Sequence, residues 1–582
     1  MNIFSAAANW FLLHGGSLLG AIFKYDYKRR ARNGKRSSAR KLRAIVRAGR
    51  NSEYGRKFGF SEVKSLEDYR SKVPLSDFDD YRGYVDRIVK HGEQKLLTSR
   101  RIHYLATTSG TVRELKLIPQ IPASYIPYFK CICMYLNDLV HALRARGVSA
   151  FSAKGFLVTE IIMSPVSERV KGGVGRIRTG GVSSYAADGM KLFLPLFTQL
   201  PREVFGSGEI GDMKYVKARF GLIDRDLKYF GGVFMSALTD MMDYIKENAG
   251  LLIRDIENGT IDPSIEMSDG MRARLQKRLR PDPERAAELR EIFSSSGETP
   301  LISRLWPKMS YVVSVGSADF EPFTKKMRSM CSDDVSFSYA MYAASEGLIG
   351  CAMRPEDPSY LLLLDSGFFE FQPVDDKTGQ GTGDLLLMNE LETGKRYEII
   401  VTNLAGLYRY CLRDVIRVAG FEGETPYIEF GYRANHITDI CGVHLTGEYL
   451  SDAVTRVENE LGTRIEDYSV FANTEYSPPR IEIFIETGRP LSAEEIRRGS
   501  DVLDKALSEA GWDYSYHRIG GSISPAILRP LAQGTCMNLR MNKIAHGASV
   551  NQLKVLRLVD KPEDLEFLKS MEKTPPQGAE QL

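Results

Sequence analysis

Short β-rich apolar runs alternate with helix-period stretches along this chain, and that alternation predicts an α/β fold built on mixed or parallel sheets. HYLATT, LKLIP and KGFLVTEIIM between residues 100 and 240 are strand-like, with a long helix expected over 124–146. Residues 232–308 carry helical spacing, and a second series of strands follows: YVVSVG, SFSYAMYAASEG, YLLLLDSGFFEFQPV, DLLLMNEL and RYEIIVTNLAG. The first hundred residues look helical, with N-cap chemistry in Ser76–Asp79 opening a helix near Tyr81–Lys90. Near residue 431 the pattern resets. A helix at about 447–461, the strands DYSVFANTE and RIEIFIETG, a helix over LSAEEIRRGSDVLDKALSEAG and a further strand around SYHRIG suit a small α/β sandwich. At 582 residues the chain exceeds one hydrophobic core. The expected organisation is a large domain (1–431), a hinge (432–436) and a small α/β lid domain (437–582) whose tail, EKTPPQGAEQL, is mobile.

Charge excludes little and cysteine excludes more. The net charge of +4 is too weak to argue for nucleic acid. Basic residues gather in 24–50, where their spacing among Ala, Leu and Val predicts a solvated helix with one apolar face. The preceding WFLLHGGSLLGAIF (10–23) falls short of the roughly 20 apolar residues that a span needs, so no transmembrane segment is expected. Met1–Ala8 has no Lys or Arg for an export signal, which leaves weak peripheral membrane contact through the N-terminus. Seven scattered cysteines form neither a disulfide framework nor a zinc site, and a reducing, cytoplasmic setting is expected. Cys131 and Cys133, two apart on a helix, diverge. The run GGVGRIRTGG (172–181) misses the spacing of a dinucleotide fingerprint and is expected to be a flexible loop near the site, followed by no apolar helix.

Four segments carry chemistry. In TTSGTVRELK (107–116), small hydroxylated residues around a glycine can turn backbone amides onto phosphate oxygens, with Lys116 neutralising them; a plain Ser/Thr turn is the alternative. In SFSYAMYAASEGLIG, Tyr342 ends a strand where a ring can stack on a purine, and Glu346 can hold Mg²⁺ near phosphates; a strand followed by a capped turn is the alternative. Asp414, between two apolar runs, suits ribose hydroxyls, or else a surface ion pair with Arg413 or Arg417. Lys554 stands in GASVNQLKVLRLV, where a lone lysine is ordinarily solvated.

In this order the four segments resemble the acyl acid amido synthetases of the Gretchen Hagen family, within the adenylate-forming superfamily that includes acyl-CoA ligases and luciferase. The resemblance runs from about 70 to 560 and takes in DYRGYVDRIVKHGEQKLLTS, YVVSVGSADFEPF, GTGDLLLMNELETGKRYEIIVTNLAGLYRY and GASVNQLK. It implies that Thr108, Ser109, Gly110 and Thr111 cradle ATP phosphates, and that Tyr342, Ala343 and Ser345 line adenine and the α-phosphate. It implies Mg²⁺ on Glu346, ribose on Asp414, Arg433 at the hinge, and Lys554 swinging in when the small domain closes. The implied reaction is an ATP-dependent ligation, in which a small carboxylic acid becomes an acyl adenylate and its acyl group passes to an amine, an amino acid by family habit. A monomer is expected.

Three departures stand out. Val112 and Arg113 fill a phosphate loop that is one residue short and lacks a further glycine; Cys411 and Arg413 replace an arginine and a glycine before Asp414; and Gly442–Leu445 reads Gly-Val-His-Leu rather than Gly-Glu-Lys-Leu. Arg113 or Arg413 is expected to restore positive charge. A thioester ligase acting on CoA, or a degenerate nucleotide-binding homologue, remains open from these residues alone.

Overall fold

A computed structural model describes residues 3–107, 116–159, 163–205, 209–295, 297–317, 320–375, 381–433, 438–440, 443–445, 447–510, 512–519, 522–545, 556–559 and 561–573. Helices occupy the first hundred residues, as their pattern predicts. Helix Phe78–His91 starts on Asp77, whose carboxylate accepts from the Asp79 amide at 2.8 Å while Asp80 accepts from the Asp77 amide at 2.9 Å. This reciprocal cap satisfies donors that the first turn leaves orphaned.

Helix α1 (Ile3–Ala31) corrects the expectation of a short apolar segment. Gly15 and Gly16 do not interrupt it, and Phe4–Ala31 is long and apolar enough to cross a membrane by length and composition. Gly16 and Gly20 serve close approach to the helix Ile126–Ala145, here α3; α2 is Gly34–Gly49. A Cβ on Gly20 would lie 2.1 Å from the Cys133 carbonyl oxygen, so only glycine fits there.

Three sheets build the chain up to Arg433. One places Leu117–Gln120, Tyr104–Thr107, Arg178–Gly180 and Met163–Pro165 side by side in that order. Arg178–Gly180 is thus a strand paired parallel to Tyr104–Ala106, and Val182–Asp188 behind it is helical, which corrects the expected flexible loop. A second sheet is all parallel: Gly155–Leu157, Tyr229–Phe234, Tyr311–Val315 and Ser336–Ser338. Parallel strands need both faces covered, and Phe156, Phe230 and Trp306 fill the helix-covered core beside it. The third sheet is antiparallel with seven strands, in the order Gly367–Pro373, Arg396–Asn403, Tyr410–Glu422, Thr425–Arg433, Tyr360–Leu362, Gly347–Ala352 and Met341–Ala344. Buried Glu370 bonds Arg409 at 3.0 Å and Arg70 at 2.8 Å, tying the helical lead-in to this sheet.

After residue 445 a separate core gathers Leu450, Val457, Ile483, Leu503 and Leu528. Helices Gly447–Leu461 and Ala493–Ala510 accompany a sheet of Ile465–Asn473, Arg480–Thr487 and Ile527–Pro530, the last pair parallel. The expected strand at SYHRIG is instead the helix Trp512–Ile519. One turn apart, Tyr514 and Arg518 both bond Asp504, with Arg518 Nη2 at 3.0 Å, a convergence that helical spacing supplies and strand spacing does not. Residues 434–436 of the expected hinge and the tail from 574 lie outside the described residues.

Candidate active site

Asp414 owes its position to an irregularity. Strand Tyr410–Glu422 pairs Cys411 with Ile400 but Val415 with Glu398, so Leu412, Arg413 and Asp414 together face Ile399 alone. Such a bulge bends a strand and re-aims its side chains. Arg413 sits in it at φ 63°, the left-handed region that glycine enters freely and an L side chain enters at a cost of about 1 kcal/mol. A glycine in the family pattern therefore has a backbone reason at this position. The Arg413 guanidinium approaches Glu398 at 3.6 Å and remains half-exposed. Burial raises the Glu398 carboxyl above the usual glutamate range, and Arg413 draws it partly back. Arg413 is not among the residues lining the cavity, so the charge compensation expected of it goes to Glu398 instead.

The bulge buries Asp414 in a cavity of about 410 Å³, within the usual size range of ligand sites. Asp414 is not a surface ion pair: its Oδ2 accepts from the Tyr342 hydroxyl at 2.8 Å. Arg417 pairs with Glu429 instead. Tyr342 presents its ring edge-on to Phe430, with centroids 5.6 Å apart, and both line the cavity together with Ala343, Ser345 and Glu346.

Ser345 ties the end of strand Tyr104–Thr107 to this cavity. Its hydroxyl donates to the Thr107 carbonyl at 3.0 Å, and Gln120 Nε2 donates to the Ser345 carbonyl at 2.7 Å. Thr107 and Leu117 are register partners, so the loop between them leaves from and returns to the edge of the Ser345 turn. Thr108, Ser109, Gly110 and Thr111 lie outside the described residues, as does Arg113. Lys116 is described: its ammonium sits over the Phe78 ring at 5.7 Å, and it is not among the cavity-lining residues. Arg433 closes its strand with its backbone paired to Asp414. Lys554 is outside the described residues, between the helix ending at Ala545 and the segment at Leu556, whose neighbours Arg557 and Val559 bond the backbone of Val470.

Sequence reasoning missed two positioning residues and the far end of the cavity. Asn403 Nδ2 donates to the Glu346 carbonyl at 2.7 Å, while its Oδ1 accepts from the Ala405, Gly406 and Leu407 amides. An asparagine before Leu-Ala-Gly is a turn signal that could have marked it; Gln120 gives no such signal. Away from Asp414 and Glu346 the lining is mostly apolar, with Phe234 stacked on Phe320 at 4.8 Å and Met190, Leu194, Val313 and Val315 also contributing. Among the described lining residues, the only charged groups are Glu346 and Asp414.

Comparison with known proteins bears on this arrangement. Residues 25–336 match the GH3 family N-terminal domain, 360–433 its central domain and 448–563 its C-terminal domain. The chain belongs to the GH3 family. Jasmonoyl--L-amino acid synthetase GH3.5 of Oryza sativa subsp. japonica is 28% identical over 543 residues, which cover 89% of this chain and 91% of that protein. Indole-3-acetic acid-amido synthetase GH3.8 of Oryza sativa subsp. indica is 29% identical over 549 residues, covering 90% and 88%. The solved acyl acid amido synthetase AtGH3.15 in complex with 2,4-DB superposes with a TM-score of 0.82 at 21% identity, covering 95% of this chain and 96% of that one. This GH3 chain thus shares the fold of that solved synthetase over 95% of its length. The Tyr342–Asp414 pair falls across the bounds of two matched segments, in the gap after 336 and within 360–433.

Proposed function

We propose that this GH3 chain is an ATP-dependent amido synthetase that activates an apolar monocarboxylic acid and joins it to the amine of an amino acid. The cavity carries the reading: two carboxylates (Asp414, held by Tyr342, and Glu346), an apolar chamber, and no cation among the described lining residues. Tyr342 and Phe430 suit the base of ATP, and Asp414, oriented by the Tyr342 hydroxyl, suits the ribose hydroxyls. Mg²⁺ on ATP takes one or two protein carboxylates besides phosphate and water oxygens, and Glu346 fits that need.

A carboxylate oxygen of the acid attacks the α-phosphorus of ATP in line, and the bond to pyrophosphate breaks. The amine nitrogen then attacks the acyl carbon, AMP departs with the electron pair of the broken C–O bond, and the amine proton is lost to solvent. The loop rooted at Thr107 and Lys116, with Lys554, supplies donors where charge develops. An apolar chamber without a described cation favours an acid with a single carboxylate, because a second one would be buried unpaired. The enzyme acts as a monomer in the cytoplasm, where ATP is plentiful and buried free thiols such as Cys131 and Cys351 stay reduced.

Acid-dependent pyrophosphate–ATP exchange tests the reading. Apolar monocarboxylates, aromatic and aliphatic, should drive exchange, and dicarboxylates of equal size should not. An absence of exchange across the whole panel would favour the degenerate homologue.

A further inference from the structure

Helix α1 is apolar on every side, yet the fold covers only one. From Ile3 to Phe23 it has no Asp, Glu, Lys or Arg. A helix of that kind is normally enclosed, by protein or by lipid. Leu13, Ser17, Gly20 and Tyr27 face the body and are buried. The opposite stripe holds Phe4, Phe11, Leu18, Ile22 and Tyr25 at 82, 69, 65, 51 and 70% exposure. Phe129 of α3, half-exposed and edge-on to Phe23 at 6.5 Å, continues the patch. Most of α1 also precedes residue 25, where the family match begins.

We propose that this stripe docks on the surface of an anionic lipid bilayer, with α1 lying in the plane of the interface. Orientation follows from its polar anchors. Asn9 Nδ2 donates to the Ala153 and Leu196 carbonyls at 2.9 Å each, and its Oδ1 accepts from the Ala153 amide at 2.8 Å. Farther along, Asn137 donates to Ser17 at 3.2 Å, Lys24 pairs with Asp138, and the Tyr27 hydroxyl donates to Asp365 at 3.1 Å. Turning α1 across a bilayer would strand these groups in hydrocarbon, where each unsatisfied one is costly. Lying flat keeps them all and covers the stripe.

Charge selects the lipid. Residues 24–50 hold twelve Lys or Arg against one Asp, although the whole chain is only +4, so the remainder is net acidic. Arg29 and Arg32 continue the exposed stripe at helical spacing, and Lys35, Arg36, Arg40 and Arg43 are exposed on or at the start of α2. An exposed apolar stripe buries its side chains at the headgroup boundary, and the basic residues that follow add attraction to anionic headgroups.

Vesicle flotation of the full chain is the test. Wild type should float with phosphatidylcholine–phosphatidylserine vesicles, bind phosphatidylcholine alone more weakly, and be released by added salt. Phe11→Glu with Leu18→Glu should weaken binding at least about tenfold, since two apolar side chains leave the interface. Arg36→Glu with Arg40→Glu should remove the preference for phosphatidylserine while leaving the weaker binding to phosphatidylcholine. All these positions are exposed, so thermal melting should not move; if the first pair lowers the melting temperature, Phe11→Ser with Leu18→Ser repeats the test with smaller side chains. The proposal is overturned if wild type stays unbound on anionic vesicles or if the stripe variants bind as well as wild type. It is equally overturned if wild type self-associates through this stripe and binds no vesicle, because a second copy then covers it. Pyrophosphate exchange does not enter this readout, so the proposed ligase reaction stands or falls separately.

Discussion

The cavity's two ends are built on different rules. At the polar end a bulge and a tyrosine hydroxyl fix the Asp414 carboxylate, and a strand-end turn held by Asn403 adds Glu346 to the same lining. At the apolar end Phe234 and Phe320 stack among aliphatic side chains, with shape and desolvation in place of directed bonds. Fixed polar geometry suits an invariant substrate such as a nucleotide, whereas an apolar chamber discriminates weakly, by about 1–3 kcal/mol per methylene. One protein family can therefore keep one half of its reaction and change the acid by repacking the other half.

Substitutions that affect one end and spare the other sharpen this contrast. The largest effect is expected from Lys554→Ala. The polar end holds two carboxylates and no described cation, so positive charge must be brought to it. Losing one donor aimed at developing charge costs about 10²–10³ in rate, and exchange should fall by that factor while calorimetric ATP affinity holds. Asp414→Ala comes next. It deprives the Tyr342 hydroxyl of its acceptor and should weaken ATP binding by about 1–3 kcal/mol, with the KM for the acid little changed. Phe234→Ala should do the reverse: a rise in the acid's KM worth about 1–2 kcal/mol, from lost apolar area, with ATP affinity intact. Any of these variants that moved both substrates' affinities equally would break the two-ended account.

The smallest effect concerns the bulge. Arg413→Ala keeps the left-handed backbone and loses the distant ion pair, whereas Arg413→Gly also relieves the strain. The glycine variant should melt higher than the alanine variant by the equivalent of about 1 kcal/mol. Equal melting would show that the surrounding bulge, rather than residue 413, sets this backbone.

The same contrast explains what could be read before any coordinates. The polar end is written in short stretches, Tyr342 to Glu346 and Tyr410 to Asp414, because a turn or bulge demands particular residues close together in the chain. The apolar end draws Met190, Phe234, Val313 and Phe320 from separate strands and loops, and generic apolar residues carry no spacing signal. Alternation fixed most elements well, down to the helix over 447–461. It failed at 512–519, where Tyr514 and Arg518 alternate as a strand would but converge on Asp504. The apolar run 10–23 stops at the first charge, Lys24, and so falls short of a span on its own. In the fold Lys24 pairs with Asp138 and the helix runs on to Ala31.

The most direct test of the central claim is to identify the products. The protein is incubated with ATP, Mg²⁺, an apolar monocarboxylic acid that supports exchange, and a mixture of amino acids and CoA, and the products are resolved by mass spectrometry. The account predicts AMP and pyrophosphate with an N-acyl amino acid. An acyl-CoA thioester with no amide, or ADP in place of AMP, would contradict it.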